Sequence, residues 1–181
     1  MIMYFYLLPI ELIHDVLLYS DDEVINIFEE INEYYYEIVN LDIFWINKIN
    51  LIISNKFIIN ELILLNKSDK FKEFYMFYNL FISNLWRNNS DYLDMSNHIP
   101  YLKIILKSKI LSIQRFMNKY LTDVNYYYLI NDIEIWKIIY DIYGPSWILL
   151  KSIWNTLYGT GILLGPDIIK LFHNYRINSR N

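Results

Sequence analysis

The chain contains no cysteine and no alanine, and glycine and proline each occur only four times in 181 residues. Without cysteine there is neither a disulfide framework nor a thiolate metal site, which is consistent with a reducing compartment. The missing alanine, together with abundant isoleucine, asparagine, lysine and tyrosine, is typical of AT-rich coding sequences. Such sequences occur in large DNA viruses of protists, intracellular parasites and amoebae. We expect an intracellular protein, cytoplasmic or nuclear, acting in a host cell if the source is viral.

Targeting and membrane signals are also absent. Residues 1–8 are apolar but carry no basic flank, and Glu11 and Asp15 interrupt the run before a secretory core is complete. The most apolar stretch, 142–166, contains Pro145, Gly159, Gly161 and Gly165, which argue against a continuous spanning helix. We therefore expect neither a signal peptide nor membrane insertion.

The formal net charge is −4, and we interpret the charges as interspersed along the chain. The basic residues Lys103, Lys107, Lys109 and Arg115 are interpreted as a solvated helix face, because nucleic-acid binding requires a clustered basic surface. The sequence thus predicts no nucleic-acid partner.

Signals of catalysis are missing as well. His14, His98 and His173 are far apart and do not form an HExxH pattern, and no phosphate loop ends in Gly-Lys-Ser/Thr. The acidic clusters are explained more simply as helix caps and solvated faces. We expect no enzymatic activity, no metal site and no cofactor.

The first fifty residues carry the clearest pattern. Pro9 suits the first position of a helix, because its fixed φ fits the first turn and its missing N–H would have no partner there. Leu12, Val16 and Leu17 then predict one apolar face, and Ser20, Asp21 and Asp22 offer the next cap. Two further short helices with apolar stripes follow, the second carried by Tyr34, Tyr35, Ile38 and Leu41.

This segment resembles the F-box, a helical module of roughly fifty residues. The resemblance covers about residues 6 to 50. It rests on an opening Leu-Pro-x-Glu-Leu, a pair made of Ile or Val followed by Leu, apolar positions in the later helices, and a closing pair made of an apolar residue followed by Trp. The matching residues are Leu8, Pro9, Glu11, Leu12, Val16, Leu17, Ile25, Ile31, Phe44 and Trp45. The chain departs from the family pattern at Ser20, Val24 and Tyr35.

The resemblance implies a non-catalytic adaptor that docks onto a Skp-type protein of a cullin ubiquitin ligase and presents an unknown protein target. It implies a three-helix module over residues 1–50. It also implies an adaptor-binding set made of Leu8, Pro9, Ile10, Glu11, Leu12, Val16, Ile25, Phe28, Ile31, Phe44 and Trp45.

The apolar stripes of residues 51–181 predict a helical domain of unrecognised type. The expected fold class of the whole chain is therefore all-α, with the N-terminal module packed on or followed by a C-terminal helical bundle. Residues 51–66 predict one hydrophobic helix, and Trp86, Trp136 and Trp154 fall on apolar stripes typical of core positions. Two tyrosine triplets, 34–36 and 126–128, cannot turn every ring toward one core. Some of these rings should be exposed or should cover a partner.

A second hypothesis is a structural or assembly protein, a virion or membrane-associated component, whose helices pack with copies of themselves. It predicts self-association without adaptor binding.

Overall fold

A computed structural model of the chain describes residues 8–31, 33–86, 93–121, 123–143, 155, 159 and 164–178. Within these residues the protein is helical and contains no strand, so the predicted all-α class is confirmed. Tyrosine and isoleucine favour strands at 126–130, yet this segment forms a short 3₁₀ turn and a helix.

Eleven α-helices are described, and two 3₁₀ turns, Ser96–His98 and Val124–Tyr126, connect some of them. The helices are α1 (Ile10–Tyr19), α2 (Asp22–Ile31), α3 (Glu33–Val39), α4 (Asp42–Ile52), α5 (Lys56–Leu64), α6 (Lys70–Trp86), α7 (Ile99–Lys107), α8 (Ile113–Tyr120), α9 (Tyr127–Ile130), α10 (Ile133–Tyr143) and α11 (Pro166–Asn178).

Several helices begin at polar side chains that accept a hydrogen bond from the first turn. Asp21 accepts from the Val24 N–H at 2.9 Å, which confirms the cap expected before α2. Asn55 caps α5 in the same way and marks the start of a new helix inside residues 51–66. The single helix predicted there is wrong: α4 ends at Ile52, Ser54 adopts a left-handed φ of 47°, and α5 begins at Lys56.

The chain divides into two compact units, residues 1–79 and 80–181. In the first unit α1 packs on α4, α2 packs on α3, and α3 packs on α4. Its core contains Ile13, Leu17, Ile25, Tyr35, Phe44, Ile49, Ile58, Leu62 and Phe74. The predicted module of residues 1–50 lies within this unit, and its boundary at residue 50 stays a prediction.

In the second unit α10 packs against α7 and α11. Phe81, Phe116 and Tyr120 form a cluster of buried rings, with the Phe81 and Tyr120 centroids 5.6 Å apart. Trp136 is buried and contacts the ring of Phe172 on α11 at 5.1 Å between centroids.

One helix–turn–helix arrangement occurs in both units, at α3–α4 and at α9–α10. In each, an asparagine directly after the first helix donates from Nδ2 to the carbonyl four residues earlier: Asn40 to Tyr36, and Asn131 to Tyr127. In each, a buried tryptophan five residues after that asparagine donates its indole N–H to the last carbonyl of the first helix. The tryptophans are Trp45 and Trp136, and their acceptors are Val39 and Ile130. Both units therefore connect two helices with the same pair of hydrogen bonds.

None of the described helices is both long enough and apolar enough to cross a membrane.

Candidate functional site

The most unusual surface of the first unit lies on its first helix. Pro9 precedes α1 with φ −54° and ψ 146°, and its carbonyl accepts from the N–H groups of Leu12 and Ile13. Proline is therefore the capping residue, and the helix begins one position later than the sequence predicts. Glu11 lies in the first turn, where the helix dipole favours a negative charge.

Helix α1 has apolar side chains on two faces, one buried and one exposed. Ile13 and Leu17 are buried in the unit's core. Leu12, Val16 and Tyr19, at helical spacing, lie on the other face and are 50%, 41% and 75% exposed. The prediction that Leu12, Val16 and Leu17 share one face is wrong, because only Leu17 turns inward.

We call the exposed set Leu8, Leu12, Val16 and Tyr19 the α1 stripe. The helical positions of Glu11 and Asp15, both exposed, lie beside it. Single exposed apolar residues are ordinary on protein surfaces, whereas a contiguous apolar row edged by charges is typical of a surface that contacts another molecule. Ile10, in the first turn, is also 46% exposed.

The core side of α1 is held by two kinds of contact. The His14 ring meets the edge of Phe44 on α4, with 5.6 Å between centroids. At the end of α1 the Lys48 ammonium, on a side chain that is only 3% exposed, donates to the Ser20 carbonyl at 2.7 Å. These contacts fix the helix so that its stripe faces outward.

Lys48 is an unusual buried cation. Its Nζ also lies 3.4 Å from the Tyr75 hydroxyl and 5.1 Å from the centre of that ring. Burial lowers the pKa of the Lys48 ammonium because desolvation disfavours its charged form, and the carboxylates of Asp22 and Asp21 oppose that shift. The same burial raises the pKa of the Tyr75 hydroxyl.

The other residues expected to bind an adaptor lie mostly inside the unit. Ile25, Phe44 and Trp45 are buried, whereas Phe28 and Ile31 are half-buried. Trp45 packs between Phe44 and Tyr75, with 5.1 and 5.4 Å between ring centroids. The structure therefore brings Leu8, Pro9, Ile10, Glu11, Leu12 and Val16 together at the surface and separates them from the rest of the predicted set.

The position of Trp45 has a structural explanation, because Trp136 makes the same hydrogen bond in the second unit. An indole that closes a helix–turn–helix connection stabilises that connection whether or not a partner binds. The closing Phe44-Trp45 pair thus does not distinguish an adaptor from another helical protein, and the α1 stripe is the more informative surface.

The tyrosine triplets follow the expected division. Tyr35 is buried while Tyr34 and Tyr36 are 41% and 54% exposed. In the second triplet Tyr126 is buried and Tyr127 is exposed. Its third member, Tyr128, accepts a hydrogen bond from the N–H of Met95 through its hydroxyl.

Of the tryptophans predicted as core, Trp136 is buried and Trp154 lies outside the described residues. Trp86 is 61% exposed, so its core prediction is wrong. Trp86 is the last residue of α6, and its ring lies at the end of that helix rather than in the core. The Arg115 guanidinium lies over this ring, 3.9 Å from its centroid.

The described part of the chain contains no group of three or more histidine or carboxylate side chains arranged to hold a metal ion. A surface depression of about 390 Å³ is lined by Asn50, Ser54, Lys56, Ile59 and Asn60, and these residues include no carboxylate and no imidazole.

Comparison with known proteins found no match for this chain among family models, curated proteins or solved structures.

Proposed function

We propose that the protein is a non-catalytic adaptor whose first helix docks onto a Skp-type protein of a cullin ubiquitin ligase, while the remainder of the chain supports that helix or captures a target. The observation that supports this proposal is the α1 stripe. Its members Leu8, Leu12 and Val16 belong to the set that the F-box resemblance implies for adaptor binding, and all three are exposed.

The physical argument is that an exposed apolar row gains free energy when a partner removes it from water. Interfaces concentrate most of that energy in a few central residues, surrounded by a polar rim. Leu12 and Val16 lie at the middle of the stripe, and the exposed carboxylates of Glu11 and Asp15 lie at its side. Ile25, Phe44 and Trp45 would act indirectly, by packing the core that supports α1.

The test is co-elution of the purified chain with a purified Skp-type adaptor on a size-exclusion column. The variant Leu12→Asp/Val16→Asp introduces charges into the stripe and should abolish the complex. Both side chains already face water, so the helical circular dichroism and the melting temperature of the variant should match those of the wild type.

Leu64→Asp is the matched control, because Leu64 is 79% exposed at the end of α5 and lies outside the stripe. This variant should bind as the wild type does. A folded wild-type chain that does not co-elute with the adaptor would overturn the proposal, as would equal loss of binding in the control.

A further inference from the structure

Acidic and basic residues of this chain cluster in different segments, and the net charge of −4 does not show this. Residues 1–47 contain ten of the 20 acidic residues and none of the 16 lysines and arginines. Residues 95–122 contain five lysines and arginines and no acidic residue. The interpretation of interspersed charges is therefore wrong. Strong charge asymmetry within one chain indicates surfaces of opposite potential.

The acidic segment forms an exposed surface on α2 and α3. Glu23, Ile27 and Glu30 follow one another at helical spacing on the outer face of α2, and Ile27 is 55% exposed. On α3 the outer residues include Glu33, Tyr36 and Glu37. We call these six residues the acidic face.

Among the described residues, the glutamates of the acidic face have no ion-pair partner. None of Glu23, Glu30, Glu33 and Glu37 forms an ion pair with another residue that the structure describes, whereas the neighbouring Glu29 pairs with Lys72 at 2.5 Å. The face thus combines carboxylates that have no ion-pair partner among the described residues with exposed apolar and aromatic groups. A partner surface that carries both cations and apolar groups would neutralise these charges and cover the apolar groups.

The second unit carries a surface with the opposite character. Lys107 and Lys109 are exposed where α7 ends, and Ile110 beside them is 37% exposed. Arg115, in the first turn of α8, is stacked on the exposed ring of Trp86. We call these five residues the basic face.

Two further cations of residues 95–122 are not counted in the basic face. Lys103 pairs with Asp132 at 2.8 Å, and Lys119 donates to the Asn84 carbonyl.

We propose that the acidic face of one molecule docks onto the basic face of a second copy of the same chain. Each face supplies charge of one sign around exposed apolar groups, so the two are complementary in both respects. The faces differ, so the contact is head-to-tail, and such a contact extends into rings or open chains of molecules rather than stopping at a symmetric dimer. This association uses residues outside the α1 stripe and does not depend on the adaptor proposal.

The experiment measures the mass of the full chain by sedimentation velocity over a range of concentrations, at about 0.05 M and about 0.5 M NaCl. We expect oligomers that grow with concentration at low salt, and an association at least about tenfold weaker at high salt because screening shortens the range of the charges.

Two charge reversals test which surfaces meet. Glu30→Lys/Glu33→Lys/Glu37→Lys changes the acidic face, and Lys107→Glu/Lys109→Glu changes the basic face. Each variant alone should stay monomeric. A mixture of the two should associate again, because the unchanged basic face of the first variant meets the unchanged acidic face of the second. Asp141→Lys and Lys56→Glu, at exposed residues outside both faces, are the controls and should associate as the wild type does.

Three results would overturn the proposal: a wild-type chain that stays monomeric at low salt, a mixture of the two reversed variants that does not associate, or controls that lose association equally. A single-stranded RNA oligonucleotide provides a separate arm. If the wild type binds the RNA, only the basic-face variant loses that binding, and neither reversal changes the mass of the protein, the basic face serves a nucleic acid instead.

Discussion

At the scale of single residues, Lys48 is a buried cation that links two helices of the first unit. Its ammonium connects the end of α1 to α6 through the Ser20 carbonyl and the Tyr75 hydroxyl. Burying a lysine is unfavourable because its charge loses hydration, and hydrogen bonds offset only part of that desolvation free energy. Sequence reasoning missed it, since lysine is normally assigned to the surface and nothing local marks this one as buried.

We predict different effects for two substitutions of this residue. Lys48→Met keeps most of the buried stem and removes the desolvated charge, so its free energy of unfolding at neutral pH should lie within about 1 kcal/mol of the wild type. Lys48→Ala also removes the stem and should lose about 2 to 3 kcal/mol. Urea denaturation measures both, and equal losses would contradict this account.

The pH dependence of the same pair follows from the lowered pKa of Lys48. The charged form is penalised in the folded state, and this penalty is fully present below the folded pKa. It is relieved as pH rises through that lowered pKa toward the unfolded value of 10.5. The stability of the wild type relative to Lys48→Met should therefore increase as the pH is raised from neutral toward 10.5. A relative stability that falls over this range would contradict burial as the dominant cause.

Helices were predictable where short signals specify them. The cap at Asp21, which begins α2, follows from local sequence. The faces of α1 were not predictable, because both sides of that helix are apolar and only the surrounding core decides which side is buried. For the candidate site, the sequence therefore indicated the residues of α1 but not the division between Leu12 and Leu17.

At the scale of elements, the recurring helix–turn–helix explains why two distant segments behave alike. Asn40 and Asn131 make the same hydrogen bond to the carbonyl four residues earlier. Asn131 has one additional role, since its Oδ1 accepts from the Gly165 N–H at 2.7 Å just before α11. The two connections thus share the same local hydrogen bonds, and Asn131 additionally binds the segment that precedes α11.

This difference makes a quantitative prediction. Asn40→Ala removes one exposed hydrogen bond and should cost about 0.5 to 1 kcal/mol. Asn131→Ala should cost about 1 kcal/mol more, because it also leaves the half-buried Gly165 N–H without its acceptor. Denaturant unfolding of the two variants compares them directly, and equal losses would show that the Asn131–Gly165 bond contributes nothing to stability.

At the scale of the whole molecule, exposed apolar surface and charge are both unevenly distributed. Of the large apolar side chains that are exposed among the described residues, sixteen lie in the first unit and five in the second. Within the described residues, the first unit therefore carries most of the exposed apolar side chains that a partner could remove from water. The charge pattern was present in the sequence, but a single net charge averages over it.

The two proposals make separate demands on this surface. Adaptor binding depends on the α1 stripe, and self-association depends on the acidic and basic faces. Reversal of the acidic face should therefore leave Skp-type binding intact while it abolishes oligomers. Loss of both activities in that one variant, with the fold preserved, would mean that the faces of α1, α2 and α3 act as one surface.

The most direct test of the central claim is calorimetric titration of a Skp-type adaptor into three proteins: wild type, Leu12→Ala and Leu64→Ala. If the α1 stripe is the docking surface, the wild type binds, and Leu12→Ala weakens binding by at least about 30-fold, the effect of losing a hot spot of about 2 kcal/mol. Leu64→Ala should change the affinity by less than about threefold. No binding by the folded wild type, or equal weakening by the two variants, would contradict the claim.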